Sequence, residues 1–152
     1  MGQHYLPESL IYAGSRTGSR RVLEQYVDTV LEGLSTGAYS CLCHPDLVDF
    51  AGDGAFYRKQ MRRLCEGVKK MGIPLEINLL GLGEGRHYPN ERFWTIAGET
   101  GNRAIIGVDA HDPASIGKHR IFEAALALAE RCGLEVEERM EFSATAPWRQ
   151  RL

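Results

Sequence analysis

The stretch "AIIGVDAHDP", Ala104 to Pro113, decides the reading of the fold. A short unbroken apolar run, "AIIGV", meets two polar residues with metal-binding chemistry, Asp109 and His111. Such a run fits a strand covered on both faces, as in parallel sheets flanked by helices. Along a strand, residues i and i+2 point to the same face, so Asp109 and His111 are expected to reach one site. Imidazole with carboxylate suits Zn, Mn or Fe better than Ca.

Outward from this run, the chain alternates between helical and strand-like patterns. "SRRVLEQYVDTVLEGLSTG" places Val22, Leu23, Tyr26, Val27, Val30, Leu31 and Leu34 at helical spacing, with Gly33 and Gly37 as stop signals. "AYSCLC" reads as a short strand. "DGAFYRKQMRRLCEGVKKMG" reads as a second helix, with Lys69, Lys70 and Gly72 suiting its end. "IPLEINLL" reads as a strand, "GLGEGRHYP" as a loop, and "NERFWTIAGETG" as a short helix capped by Asn90. "RAIIGVDA" is the third strand, "ASIGKHRIFEAALALAERCG" a long helix and "LEVEERMEF" a terminal strand. Strand and helix units in this order predict an α/β fold with a parallel sheet. The chain has 152 residues, 43% hydrophobic and 25% charged, enough for one domain spanning 1–152 with its own core.

The formal net charge is −2 with both signs interspersed, which disfavours a nucleic-acid partner. No apolar run reaches bilayer-spanning length, so no membrane partner is expected. The start "MGQHYLPESL" has neither a secretory layout nor a myristoylation pattern, and a cytoplasmic location is the expectation. Cys41, Cys43, Cys65 and Cys132 are then not expected to form disulfides, and Cys65 and Cys132 read as small buried hydrophobes.

Parallel α/β folds build their sites at the carboxyl ends of strands. His44 and Asp46 follow "AYSCLC", Arg86 and His87 follow "EINLL", Asp109 and His111 close "AIIGV", and His4 lies near the start. Each has a structural explanation when taken singly: a turn former in "HPD", a strand-end acceptor, a solvated loop, a terminal residue. Their common placement at strand ends is what singles them out. His119 reads as a surface residue. Cys41, Cys43 and His44 form a C-x-C-H, a rival structural zinc module, although its spacing departs from the usual C-x(2–4)-C half-site.

"GQHYL", "SCLCHPDLVDF", "PLEINLLGLGEGRHYP", "ERFWTIAGETG" and "AIIGVDAHDP", in this order, resemble the later part of the polymerase and histidinol phosphatase (PHP) superfamily, in its histidinol-phosphatase-like branch. The resemblance spans about residues 2 to 135. It implies the C-terminal portion of a distorted (β/α)7 barrel and a metal-dependent phosphoesterase that hydrolyses a small phosphate monoester through metal-activated water. It implies metal ligands at His4, His44, Asp109 and His111, with Asp109 and His111 also catalytic, and a phosphate-contacting Arg86. Glu76 and Asn78 would support the strand end. The resemblance also implies an absence: members open with an H-x-H strand and further ligands, and none of these is found here. The chain therefore reads as a portion of such an enzyme, or as a catalytically incomplete remnant or subunit that binds metal weakly or acts as a scaffold. An open half barrel leaves sheet edges and apolar faces uncovered, so a homo-oligomer or the missing N-terminal half is the expected partner.

Overall fold

The computed structural model describes residues 1–7, 9–117, 119–140 and 142. It is a mixed α/β structure with a small parallel sheet. The elements run α1 (Arg20–Ser35), α2 (Gly54–Lys70), β1 (Leu75–Asn78), α3 (Leu79–Gly83), α4 (Glu91–Thr100), β2 (Arg103–Gly107), α5 (His119–Arg131) and β3 (Glu135–Val136). A single 3-10 turn, Pro113–Ser115, precedes α5.

The helices begin where side chains can replace missing backbone partners. Ser19, Asp53 and Asn90 cap α1, α2 and α4 by accepting from the N–H groups of Val22, Phe56 and Arg92. The α4 helix ends at Gly101, whose φ of 73° closes a left-handed cap. Gly33 does not stop α1. The helix runs through it to Ser35, and the turn comes at Gly37 with φ 71°. One apolar face of each long helix is buried: Leu23, Tyr26, Val27, Val30 and Leu34 on α1, and Tyr57, Met61, Leu64, Cys65 and Val68 on α2. Helix α1 packs on α2, α2 on α4, and α4 on α5. Trp94, Phe93 and Tyr26 are among the largest fully buried side chains.

The sheet order is β1-β2-β3, all parallel, with Leu75 opposite Ala104 and Ala104 opposite Val136. Crossovers through α3 and α4, then through α5, give the alternation read from sequence. The strands are shorter than their patterns. "AYSCLC" forms only one parallel bridge, Leu42 to Leu75, because the chain bends on either side of it. Leu79 and Leu80, expected at the end of β1, already belong to α3, because Asn78 caps that helix. The terminal strand pairs over two residues and one further bond, from Glu137 N–H to Ala104 O (2.8 Å). β1 is buried throughout, but β2 is only half covered: Ile105, Ile106 and Gly107 are partly exposed. A sheet this narrow has too few flanking elements to cover both faces of β2. Cys65 is buried as read, whereas Cys132 is half-buried, just past α5. Among the described residues, no helix is long and apolar enough to cross a membrane.

Two close contacts fix the layers. The buried Asn102 side chain donates to Cys65 O (2.9 Å), tying the start of β2 to α2. At Gly98 on α4 the backbone of Cys132 comes so close that a Cβ would overlap its carbonyl oxygen. Gly98→Ala must push α4 away from the turn after α5. A loss of about 1–3 kcal/mol is expected from such overpacking. Chemical denaturation checks it, with Thr95→Ala on the same helix as the comparison. A stability equal to that of the unmodified protein would show that this contact does not set the spacing.

Candidate functional site

The site grows from β1. Glu76 and Asn78 are two apart and share a face of the strand. Glu76 Oε2 accepts from the backbone N–H of His44 (3.0 Å) and from Asn78 Nδ2 (3.1 Å). The same Asn78 nitrogen donates to Asp109 Oδ2 (3.1 Å), while Asn78 Oδ1 accepts from Gly81 N–H (2.9 Å) to start α3. One amide therefore joins the ends of β1, β2 and α3. Gly107, opposite Asn78 in the sheet, leaves the room that the Glu76 carboxylate occupies; a Cβ there would collide with it. Burial pushes the Glu76 carboxyl up, against the opposing pull of the Asn78 and His44 hydrogen bonds.

His44 follows the Leu42 bridge in a left-handed conformation, φ 31°, and opens a turn closed by Leu47 N–H to His44 O (3.0 Å). The turn expected from "HPD" is thus present as well as the buried imidazole. The His44 ring meets His4 edge-on at 4.7 Å between centroids, and Tyr88 at 5.8 Å. His4 is positioned by a small bridge between Tyr5 and Tyr12 and by Ala13 N–H donating to His4 O (2.7 Å). Gly2 makes the approach possible: a Cβ there would sit 3.0 Å from His44 Nε2. Among the described residues, the buried His44 Nδ1 has no hydrogen-bond partner. Burial, then the neighbouring His4, push the His44 imidazole down to about 4, with Asp109 pulling the other way, so the ring is neutral near pH 7.

Asp109 and His111 come together differently from the strand reading. β2 ends at Gly107, and Asp109 turns the chain with φ 50°, so i and i+2 no longer share a strand face. His111 Nδ1–H donates to Asp109 O (2.8 Å) and lies 3.9 Å from Asp109 Oδ1, with 73% of the side chain exposed. His111 borders a hollow of about 240 Å³ with Leu79, Leu80, Glu84, Val108 and Ile121, separate from the contact of His4 with His44. Arg86 donates to the Tyr88 hydroxyl (2.8 Å) and pairs with Glu84 (2.6 Å), which places it beside the ring that covers His44. His87 is a structural tie, its Nε2–H donating to Leu47 O (2.6 Å). His119 is exposed, as read.

The structure thus joins His4 to His44, and joins Asp109 to the backbone of His44 through Asn78 and Glu76. It leaves His111 facing outward. Among the described residues, no three His, Cys, Asp or Glu side chains stand close enough together to hold a metal ion, whether in this set or at Cys41, Cys43 and His44. The donor chemistry of His4, His44 and Asp109 still suits a first-row divalent ion. The unpartnered His44 nitrogen and the side-chain-free space at Gly2 suit it as well. The residues fit part of such a centre. Gly2 and Tyr88 carry no signal in the sequence: they lie in "GQHY" and "RHYP", and nothing local in either marks a residue that packs on a distant imidazole. No protein-family model and no curated protein matches the chain.

Asp46 completes the surroundings. It is fully buried, and its Oδ2 accepts from Asn90 N–H (2.5 Å) at the start of α4. Its Oδ1 lies near the Trp94 indole without closing an ordinary hydrogen bond. Burial outweighs these contacts and pushes the carboxyl up to about 7. A raised folded pKa means that the folded state holds the proton more tightly than the unfolded chain. Stability is then expected to fall as pH rises from about 4 to about 7, and to level off above, by on the order of a few kcal/mol. Urea unfolding across this range checks it. Asp46→Asn should flatten that slope, and an unchanged slope would assign the titration to another group.

Proposed function

We propose that the chain carries part of a metal-dependent phosphoesterase centre, in the manner of the histidinol-phosphatase-like enzymes, acting on a small phosphate monoester. The single observation that carries this reading is the contact of His4 with His44, each beside an isolated bridge, next to an Asp109 that Asn78 holds in place. His4, His44 and Asp109 would hold a Zn, Mn or Fe ion, and His111 would join them by turning inward about the Asp109 bend. A bound divalent ion supplies a lowered water pKa and charge stabilisation at phosphorus. The chain's own residues supply the rest. Asn78 orients the Asp109 carboxylate, Tyr88 shields His44, and Arg86 offers a planar, always-charged guanidinium to a phosphate.

In this reading the three parallel strands belong to a larger (β/α)7 barrel. The remaining ligands would come from further strands of such a barrel or from a second copy, in a cytoplasmic assembly. The half-covered β2 and the exposed Val108 support a further covering element.

The test is metal content by elemental analysis, together with phosphate release from histidinol phosphate and an aryl phosphate with added Mn²⁺ or Zn²⁺. Stoichiometric metal and turnover are expected, with His44→Ala lowering both. Asn78→Ala should cost about 10–100-fold in metal affinity or rate, as expected for a group that orients a ligand. Metal kept in Asp109→Ala but lost in Cys43→Ser would replace this reading by the zinc module. Neither metal nor turnover in the unmodified chain would replace it by a scaffold.

A further inference from the structure

The C-x-C pair has a geometry of its own. Cys41 and Cys43 flank the bridging residue Leu42, so alternation sends both side chains to one face. Their sulfurs lie 3.8 Å apart, each half-buried. Two residues of extended chain span roughly 6.6 Å. That separation is at the upper end of the roughly 4.4–6.8 Å between Cα atoms that a disulfide accepts. The pair can close, but only with strain, and strained disulfides are the readily reduced ones. The chain is paired in the sheet at Leu42 and turns sharply at His44, and Met1 holds Cys41 O (2.6 Å) and Cys43 N–H (2.7 Å), so the small bend required is made against the contacts of the N-terminal residue.

We propose that Cys41 and Cys43 form a thiol–disulfide exchange site that takes small-molecule disulfides and closes reversibly to an intramolecular disulfide. Cys41 attacks one sulfur of the incoming disulfide as thiolate, forming a mixed disulfide and expelling one thiolate. Cys43 then attacks the Cys41 sulfur of that mixed disulfide, expelling the second thiolate, and its proton passes to solvent. The incoming disulfide is reduced to two thiols, and the protein dithiol is oxidised. Cys41 is suited to the first attack. The two sulfurs lie within hydrogen-bond distance, and that contact favours the Cys41 thiolate against the effect of burial. The other two cysteines are poor competitors. Cys65 is buried and its thiol is pushed up to about 12 by that burial, while Cys132 stands far along the chain with its thiol raised. The site stands on the sulfur geometry alone and does not depend on the phosphoesterase reading.

The experiment treats the reduced, folded full chain with oxidised glutathione and follows each cysteine by peptide mass spectrometry after alkylation. The unmodified protein should lose two hydrogens in the peptide spanning Cys41 and Cys43 and retain no glutathione. Cys43→Ser should trap glutathione on Cys41. Cys41→Ser should react at least tenfold more slowly, and excess reduced glutathione should reopen the closed form. Circular dichroism establishes that each variant is folded. Should a variant not fold, the rates of alkylation of Cys41 and Cys132 in the unmodified protein decide, with Cys41 expected to be the faster. A stable glutathione adduct on Cys41 in the unmodified protein, a disulfide joining other cysteines, or faster alkylation at Cys132 would overturn the proposal.

Discussion

The Glu76 carboxylate is the joint on which the sheet's working end depends. Its backbone N–H bonds Leu42 O (2.9 Å) and its side chain bonds the N–H of His44, so one residue holds the neighbouring segment at two successive points. Through Asn78 it also reaches Asp109. A buried carboxyl group without such partners is costly, and here the His44 and Asn78 bonds that order the site also satisfy one of its oxygens. The absence of a side chain at Gly107 is part of the same arrangement, because the volume of Glu76 has to go somewhere next to β2. Position 107 therefore belongs to the site although it offers no functional group.

Much of the architecture was legible because it rests on local signals. Ser19, Asp53 and Asn90 announce their helices by capping chemistry, and the apolar faces of α1 and α2 follow a single period. The strands were less legible at their ends. "AYSCLC" has a strand's composition but only one bridge, because pairing is decided by what lies beside it and not by its own residues. The composition of "AIIGV" predicts burial on both faces, and the burial of β1 but not β2 shows that cover is a tertiary property.

The site followed the same division. His4, His44, Asp109 and Arg86 stood out as chemistry at strand ends, and the contact of His4 with His44 could be anticipated only in outline. The relation of Asp109 to His111 could not be, since the left-handed turn at Asp109 is not encoded by a glycine and breaks the alternation that the reading relied on. Asn78 illustrates the middle case. "EIN" suggested a supporting role, but the bridge from Glu76 to Asp109 needs a register, Asn78 opposite Gly107, that one strand alone does not specify.

His44 and Asp109 share one further property: both are non-glycine residues held at positive φ, 31° and 50°, on neighbouring segments of one site. Histidine and aspartate tolerate this region better than branched residues do, yet glycine would adopt it with less strain. Glycine at either position would relieve the backbone only by removing the imidazole or the carboxylate, so at these two positions a gain in stability and the chemistry of the candidate site exclude each other.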